Sequence, residues 1–189
     1  MRSDAARNRA SLLAAAEAEF AERGPDASVA DIARRAGIGK GTVFRHFPTK
    51  EDLLAAVVLD RVTTLTALAR HLAARPDAGP ALEEFLHEAA GRQQQLDLSF
   101  LRGATSVNDR LAEARRSLFD AITALVRRAQ DAGAVRDDVS GMDVILMMCA
   151  PHYVTTYVPQ AAPDLWRRYL GIILDGLRPE GARPLTSAG

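Results

Sequence analysis

The stretch "GIGKGTVFRHF", Gly37 to Phe47, decides how the chain is read. Glycines at 37, 39 and 41 with Lys40 and Thr42 beside them suit a loop that cradles nucleotide phosphates. The same letters suit a glycine turn followed by a short helix presenting Thr42, Arg45 and His46. A phosphate loop needs a buried strand, a leading glycine, and a lysine followed by serine or threonine. Here the lead-in "SVADIARRA" (28–36) has Ile32, Ala33 and Ala36 at helical spacing behind a Ser28/Asp31 cap pair. Arg34 stands where the leading glycine belongs, Gly41 follows Lys40, and no later strand offers an acid for magnesium. The nucleotide reading fails on its surroundings.

A helix-turn-helix satisfies the same residues. Ala33 is small where two helices cross, and Gly37 occupies the turn, where a positive φ is cheap only without a Cβ. Val43 is apolar where the second helix packs on the first, with Ile38, Phe47 and Phe20 completing a core. Thr42, Arg45 and His46, at i, i+3 and i+4, are left as outward hydrogen-bonding groups behind Lys40.

Working outward, the periodicity is helical almost throughout and predicts an all-α chain. Helices are expected over about 4–23, from Ser28, over 40–47, and from a Thr49/Asp52 cap to about 74. The last of these carries an apolar stripe of Leu54, Val58, Val62, Leu65, Leu68 and Leu72. After the break "RPDAGP" (75–80), helices are expected near 81–95, 97–104, 108–132, 140–158 and 163–177, the fourth capped by Ser140 and Asp143. The domains read as 1–50, helix-turn-helix DNA-binding; 51–178, helical ligand-binding and dimerisation; and 179–189, a polar tail expected to be disordered.

Charge agrees with that division. The chain of 189 residues has zero formal net charge, yet residues 1–50 carry nine Lys/Arg against six Asp/Glu and residues 51–189 fifteen against eighteen. Both lysines, Lys40 and Lys50, lie in the basic part, which suits an acidic partner there. The start has no apolar leader, and "VILMMCA" (144–150) is too short to span a bilayer. Cys149 is the single cysteine. A cytoplasmic location, with no membrane partner, is the expectation.

The segment "SLLAAAEAEFAERGPDASVADIARRAGIGKGTVFRHFPTKEDLL" resembles the N-terminal domain of TetR-family transcriptional regulators, over about residues 7–54. The resemblance implies a homodimeric, mostly repressive bacterial regulator of a pseudo-palindromic operator on double-stranded DNA, released when a small-molecule effector binds the C-terminal domain. No Ser-His-Asp or Cys-His signature stands in the chain, so no enzyme and no cofactor are expected. Carried over residue by residue, Thr42, His46 and Lys50 are assigned to phosphate, with Ser28 and the amides at its helix start. Lys40 and Arg45 are the base readers, and Gly41 lets the helix approach closely. Two residues depart from the family pattern. Gly39 replaces a frequent serine, removing a cap at a cost of a few tenths of a kcal/mol. Phe44 replaces a tyrosine whose hydroxyl commonly meets a phosphate, and is therefore counted as packing.

The C-terminal part offers temptations that fail. Glu84 and His87 in "EEFLHE" have the i, i+3 spacing of a di-iron helix, but no second copy exists. "DDVSGMD" (137–143) starts like a calcium loop, yet the twelfth position from Asp137 is Met148. No metal is implied. An apolar ligand pocket is better motivated, from Phe85, Phe100, Phe119, Met147, Met148 and the polar candidate His152. The last two helices are expected to form the dimer, the final one through Leu165, Tyr169, Ile172, Ile173 and Leu177, with Gly176 allowing close approach. Two competing functions remain at this stage. One is a regulator answering to a protein partner or to nothing, which predicts a C-terminal core without a cavity. The other is a helical enzyme or carrier, which predicts no salt-dependent DNA binding.

Overall fold

The computed structural model describes residues 2–95, 109–156, 162 and 164–186, with side chains at all of these except 2–6, 25, 93–95, 149 and 151–156. Among the described residues there are α-helices and one 3₁₀ turn, with no strand: α1 Arg2–Arg23, the turn Gly24–Asp26, α2 Val29–Arg35, α3 Lys40–His46, α4 Lys50–Ala73, α5 Ala78–Gln95, α6 Asp109–Asp131, α7 Gly141–Thr156 and α8 Leu165–Gly176. The fold is all-α, with an N-terminal helix-turn-helix and a C-terminal helical domain. The helix expected at 97–104 lies outside the described residues.

Two compact units make up the chain, Met1–Thr63 with Gln95–Ala114, and Thr64–Gln94 with Arg115–Gly189. The core of the first gathers Leu12, Leu13, Ala16 and Phe20 from α1, Ile32 and Ala33 from α2, and Val43 and Phe47 at α3. Leu53, Leu54, Val57 and Val58 of α4, Ala27 before α2 and Leu111 of α6 complete it. The apolar stripe of α4 therefore differs from its expected course. Leu53 and Val57 join Leu54 and Val58 inside, while farther along Thr66, Ala69 and Leu72 are buried, with Leu65 and Leu68 only partly covered.

Local capping sets the helix ends. α2 begins at Ser28, whose hydroxyl accepts the Asp31 N–H at 3.1 Å. At its other end the Ile38 N–H reaches the Ala33 carbonyl (3.0 Å) and the Gly37 N–H reaches Arg34 (3.1 Å). That paired bonding needs a left-handed residue between them, which Gly37 supplies at φ 68°. Thr49 and Asp52 bond reciprocally before α4, as do Ser140 and Asp143 before α7.

The second unit packs Ala81, Leu82, Phe85, Leu86, Ala89 and Ala90 of α5 against Ile122, Leu125, Val126 and Ala129 of α6, with Val144 of α7 and Trp166, Leu170 and Leu177 at α8. α7 starts hard against α6: a Cβ on Gly141 would overlap Thr123 Oγ1 and lie 3.0 Å from the Thr123 Cα. The Arg128 guanidinium bonds the Ala73 and Arg75 carbonyls, satisfying acceptors left at the end of α4. In the segment read as a tail, the Leu185 N–H donates to Asp138 at 2.9 Å and Arg136 bonds the Arg183 carbonyl.

Candidate nucleic-acid interface and effector cavity

α3 is held by one side only. Val43 is 1% exposed and Phe47 closes the helix in the same core, so the rest of the surface is free to meet another molecule. The N-cap residue, Gly39, makes no side-chain cap bond, and Gly41 has nothing within 4 Å of a Cβ built on it. Lys40, Gly41, Arg45 and His46 are exposed, and Thr42 half-buried. The structure thus places all five of these predicted residues on the open surface of one short helix.

Their present contacts are local. Arg45 folds back along α3, donating from Nη2 to Thr42 Oγ1 (2.9 Å) and from Nε to the Gly41 carbonyl (3.4 Å). Thr42 accepts there, so its own hydroxyl proton remains to donate. Lys50 Nζ lies 5.9 Å from the centre of the Phe20 ring at the start of α4. Lys40 Nζ lies 5.7 Å from that of Phe44. Phe44 itself corrects the sequence reading. It is 40% exposed and absent from the core, because Val43 and Phe47 already fill the arc of α3 that faces inward.

Ser28 is more committed than the other predicted contacts. Its hydroxyl donates to Asp31 Oδ2 at 2.6 Å, so a phosphate contact requires that bond to be exchanged. The Asp31 carboxyl is held below its usual range, first by this bond and then by the one from Arg34. Arg23 also reaches Asp31, at 2.8 Å. Behind α2, the carboxylate of Glu19 is buried at 3% exposure, 3.0 Å from Arg35 Nε and 3.5 Å from Arg23 Nε. Arg35 also bonds both oxygens of Glu22 at 2.7 Å. This network ties α1 to α2, and sequence reasoning missed it. The i, i+4 spacing of Glu19 and Arg23 was its one visible trace.

The second unit contains an open cavity of about 670 Å³. Its walls are Leu65, Phe85, Leu118, Phe119, Ile122, Met142, Ile145 and Met148, and Arg115, Arg116 and Asp120 supply charge. Phe85, Phe119 and Met148 of the predicted set meet there. Met147 does not. It lines a crevice too narrow for water, with Leu86, Leu170 and Ile173. Phe100 and the side chain of His152 lie outside the described residues.

On α8 the structure separates residues that the sequence reading grouped. Leu177 is buried and Ile173 packs on the unit's own core, whereas Ile172 is 58% exposed and Leu165 and Tyr169 are half-buried beside it in helical register. On α7, Met142 and Leu146 are exposed at i, i+4. Glu84, half of the di-iron spacing, is ion-paired with Arg75 at 2.5 Å. Among the described residues no group of three metal-ligating side chains occurs, and no helix is long and apolar enough to cross a membrane.

The chain is similar to known proteins in sequence and fold. Residues 12–57 match the family described as bacterial regulatory proteins, tetR family, and residues 77–179 match the transcriptional regulator SbtR-like C-terminal domain. A TetR transcription regulatory protein from Mycobacterium vanbaalenii is 35% identical, covers 94% of this chain and 98% of its own, and superposes with a TM-score of 0.72. The TetR regulator SCO0520 from Streptomyces coelicolor is 31% identical over 90% of this chain and 98% of its own, with a TM-score of 0.71. The transcriptional repressor Rv1474c of Mycobacterium tuberculosis is 30% identical over 182 residues, 91% of this chain and 81% of that protein. Higher identity is local: the HTH-type regulator Mb3439c of Mycobacterium bovis is 52% identical over 60 residues, 31% of this chain, so the match spans about a third (32%) of that relative's length.

Proposed function

The chain belongs to the TetR family of bacterial transcriptional regulators, and on that premise we propose that it is a cytoplasmic homodimeric repressor released from its operator by a small, mostly apolar effector. The observation that carries this reading is the pairing of two features. One is a short helix whose outward residues are cations and hydrogen-bonding groups, and the other is a separate unit with an apolar cavity of about 670 Å³. That volume lies within the roughly 300–1,000 Å³ usual for small-molecule sites.

At the DNA, Arg45 exchanges its bonds to Thr42 and Gly41 for a bidentate contact to guanine, and Lys40 reads a neighbouring acceptor. Thr42, His46 and Lys50 hold phosphates, with Ser28 contributing where its bond to Asp31 gives way, and Gly41 keeps the helix close to the groove. The exposed apolar residues Leu146 of α7 and Ile172 of α8, with Leu165 and Tyr169, support a two-fold interface there. Such a dimer presents its recognition helices roughly 34–36 Å apart, one DNA turn, or somewhat more.

The effector fills the apolar walls and places a polar or anionic group near Arg115 and Arg116. Leu65, on one wall, belongs to the same helix that opens at Lys50, so α4 is the route by which occupancy alters DNA binding. Shifting the population takes a differential affinity of a few kcal/mol between the two states. Selection of bound DNA from a random pool, followed by ligand titration of free and DNA-bound protein, tests the reading. A pseudo-palindrome and an effector that prefers the free protein are expected. A pool with no enriched site contradicts the DNA reading, and an effector bound equally by both forms contradicts release.

A further inference from the structure

An α-helix turns about 100° per residue, which sorts the surface of α3 into three strips. With Val43 in the core, Gly41 and Arg45 fall on the opposite side. Thr42 and His46 lie along one flank, and both can donate hydrogen bonds to phosphate. Lys40 and Phe44 lie along the other flank, where the Lys40 ammonium stands 5.7 Å from the ring centre. Phe44 is 40% exposed and lies outside the buried core.

A phenyl ring at a protein–DNA contact has few acceptable neighbours. It can neither donate to a phosphate nor accept from a base, and facing the charged backbone would only strip water from the phosphates. The major-groove edges of the four base pairs are polar except for one group, the C5-methyl of thymine. We propose that Phe44 is a sequence-reading residue: its ring covers a thymine methyl in each half-site. This assignment rests on the insertion of α3 into the major groove. It gives the helix a second kind of readout beside Arg45, one that discriminates by apolar contact and not by hydrogen bonding.

Deoxyuridine differs from thymidine only by that methyl, so the test is a substitution in the DNA. Using the full-length protein and the site it selects, each symmetric pair of thymines is replaced by uracil and the affinity measured. One pair is expected to weaken binding about fourfold per half-site, the worth of one methyl taken out of water. Phe44→Ala is expected to bind thymine and uracil equally at that pair and to leave the other pairs unchanged. Phe44→Leu, which keeps an apolar group, retains part of the preference, and it decides the matter if the alanine variant does not fold. The assignment is overturned if no pair is methyl-sensitive, if the sensitivity survives in Phe44→Ala, or if that variant merely weakens thymine and uracil sites alike. A protein that binds its selected site without methyl sensitivity loses this assignment alone, whereas one that selects no site loses the insertion of α3 as well.

Discussion

The two units use their apolar residues differently. In the first, α1 to α4 turn almost every large apolar side chain into one core, and the exposed exception, Phe44, sits on α3. In the second, a core of similar character coexists with an open cavity and with exposed Met142, Leu146 and Ile172 on α7 and α8. A contiguous uncovered apolar patch marks a place where a protein meets another molecule, whereas a single exposed apolar residue needs a further argument such as its position on α3. As proposed, the first unit offers one position to a base edge, and the second offers two regions, one to an effector and one to a second copy of the chain.

The contrast can be broken at its strongest point by Phe20→Ala. Phe20 is 1% exposed at the centre of the first core, so its loss is expected to cost about 3–5 kcal/mol. Chemical denaturation of the variant would show this as early unfolding of the first unit, with DNA binding lost at all sequences. The second unit, whose core contains none of those residues, keeps its helicity.

Changing the uncovered surface predicts the opposite pattern. Leu146→Asp combined with Ile172→Asp alters side chains that are 63% and 58% exposed, so the monomer fold should change by no more than about 0.5 kcal/mol. Dimerisation should weaken by on the order of a thousandfold or more, as for two interface residues worth about 2 kcal/mol each. Sedimentation across a concentration series reads this directly, and a dimer of unchanged strength would move the interface away from α7 and α8.

A smaller effect sharpens the account of the first unit. Ser28→Ala removes the cap of α2 and should lower thermal stability by about 1 kcal/mol. Ser28 is also the first cause of the lowered Asp31 pKa, ahead of Arg34. A carboxyl depressed in the fold adds stability above its unfolded pKa and loses it as pH falls through the folded one. The wild-type protein should therefore lose part of its stability below the ordinary carboxylate range. In Ser28→Ala that acid-side loss should be shallower in melting curves taken across acidic pH.

What was legible in the sequence was what is decided locally. Gly37 and the pairs Ser28/Asp31, Thr49/Asp52 and Ser140/Asp143 act within a few residues, so their spacing already specifies helix ends that the structure contains. Asp31 shows the limit even there, since its carboxylate turns to Arg23 and Arg34 as well as to Ser28. The phase of α8 was not legible. Leu165, Tyr169 and Ile172 form one apolar strip and Trp166, Leu170, Ile173 and Leu177 another, and periodicity alone does not say which faces inward. Met147 and Met148 are adjacent and chemically equal, so only packing shows that the second lines both the cavity and the crevice beside α8 while the first lines the crevice alone. Glu19 is one acid among many until α2 brings Arg35 to 3.0 Å from it.

The central claim is that the Arg45 side of α3 enters the groove while Lys50, opening α4, meets only backbone. Affinity for every single-base variant of the selected site, measured at several salt concentrations for Arg45→Ala and Lys50→Ala, tests it most directly. Arg45→Ala should cost about 1–3 kcal/mol on the preferred site and relax the choice at one symmetric pair of positions. Lys50→Ala should weaken all sequences alike and make the salt dependence shallower by roughly one unit for each phosphate the lysine neutralises. An unchanged base preference in Arg45→Ala, together with an altered one in Lys50→Ala, would contradict this placement of the helix.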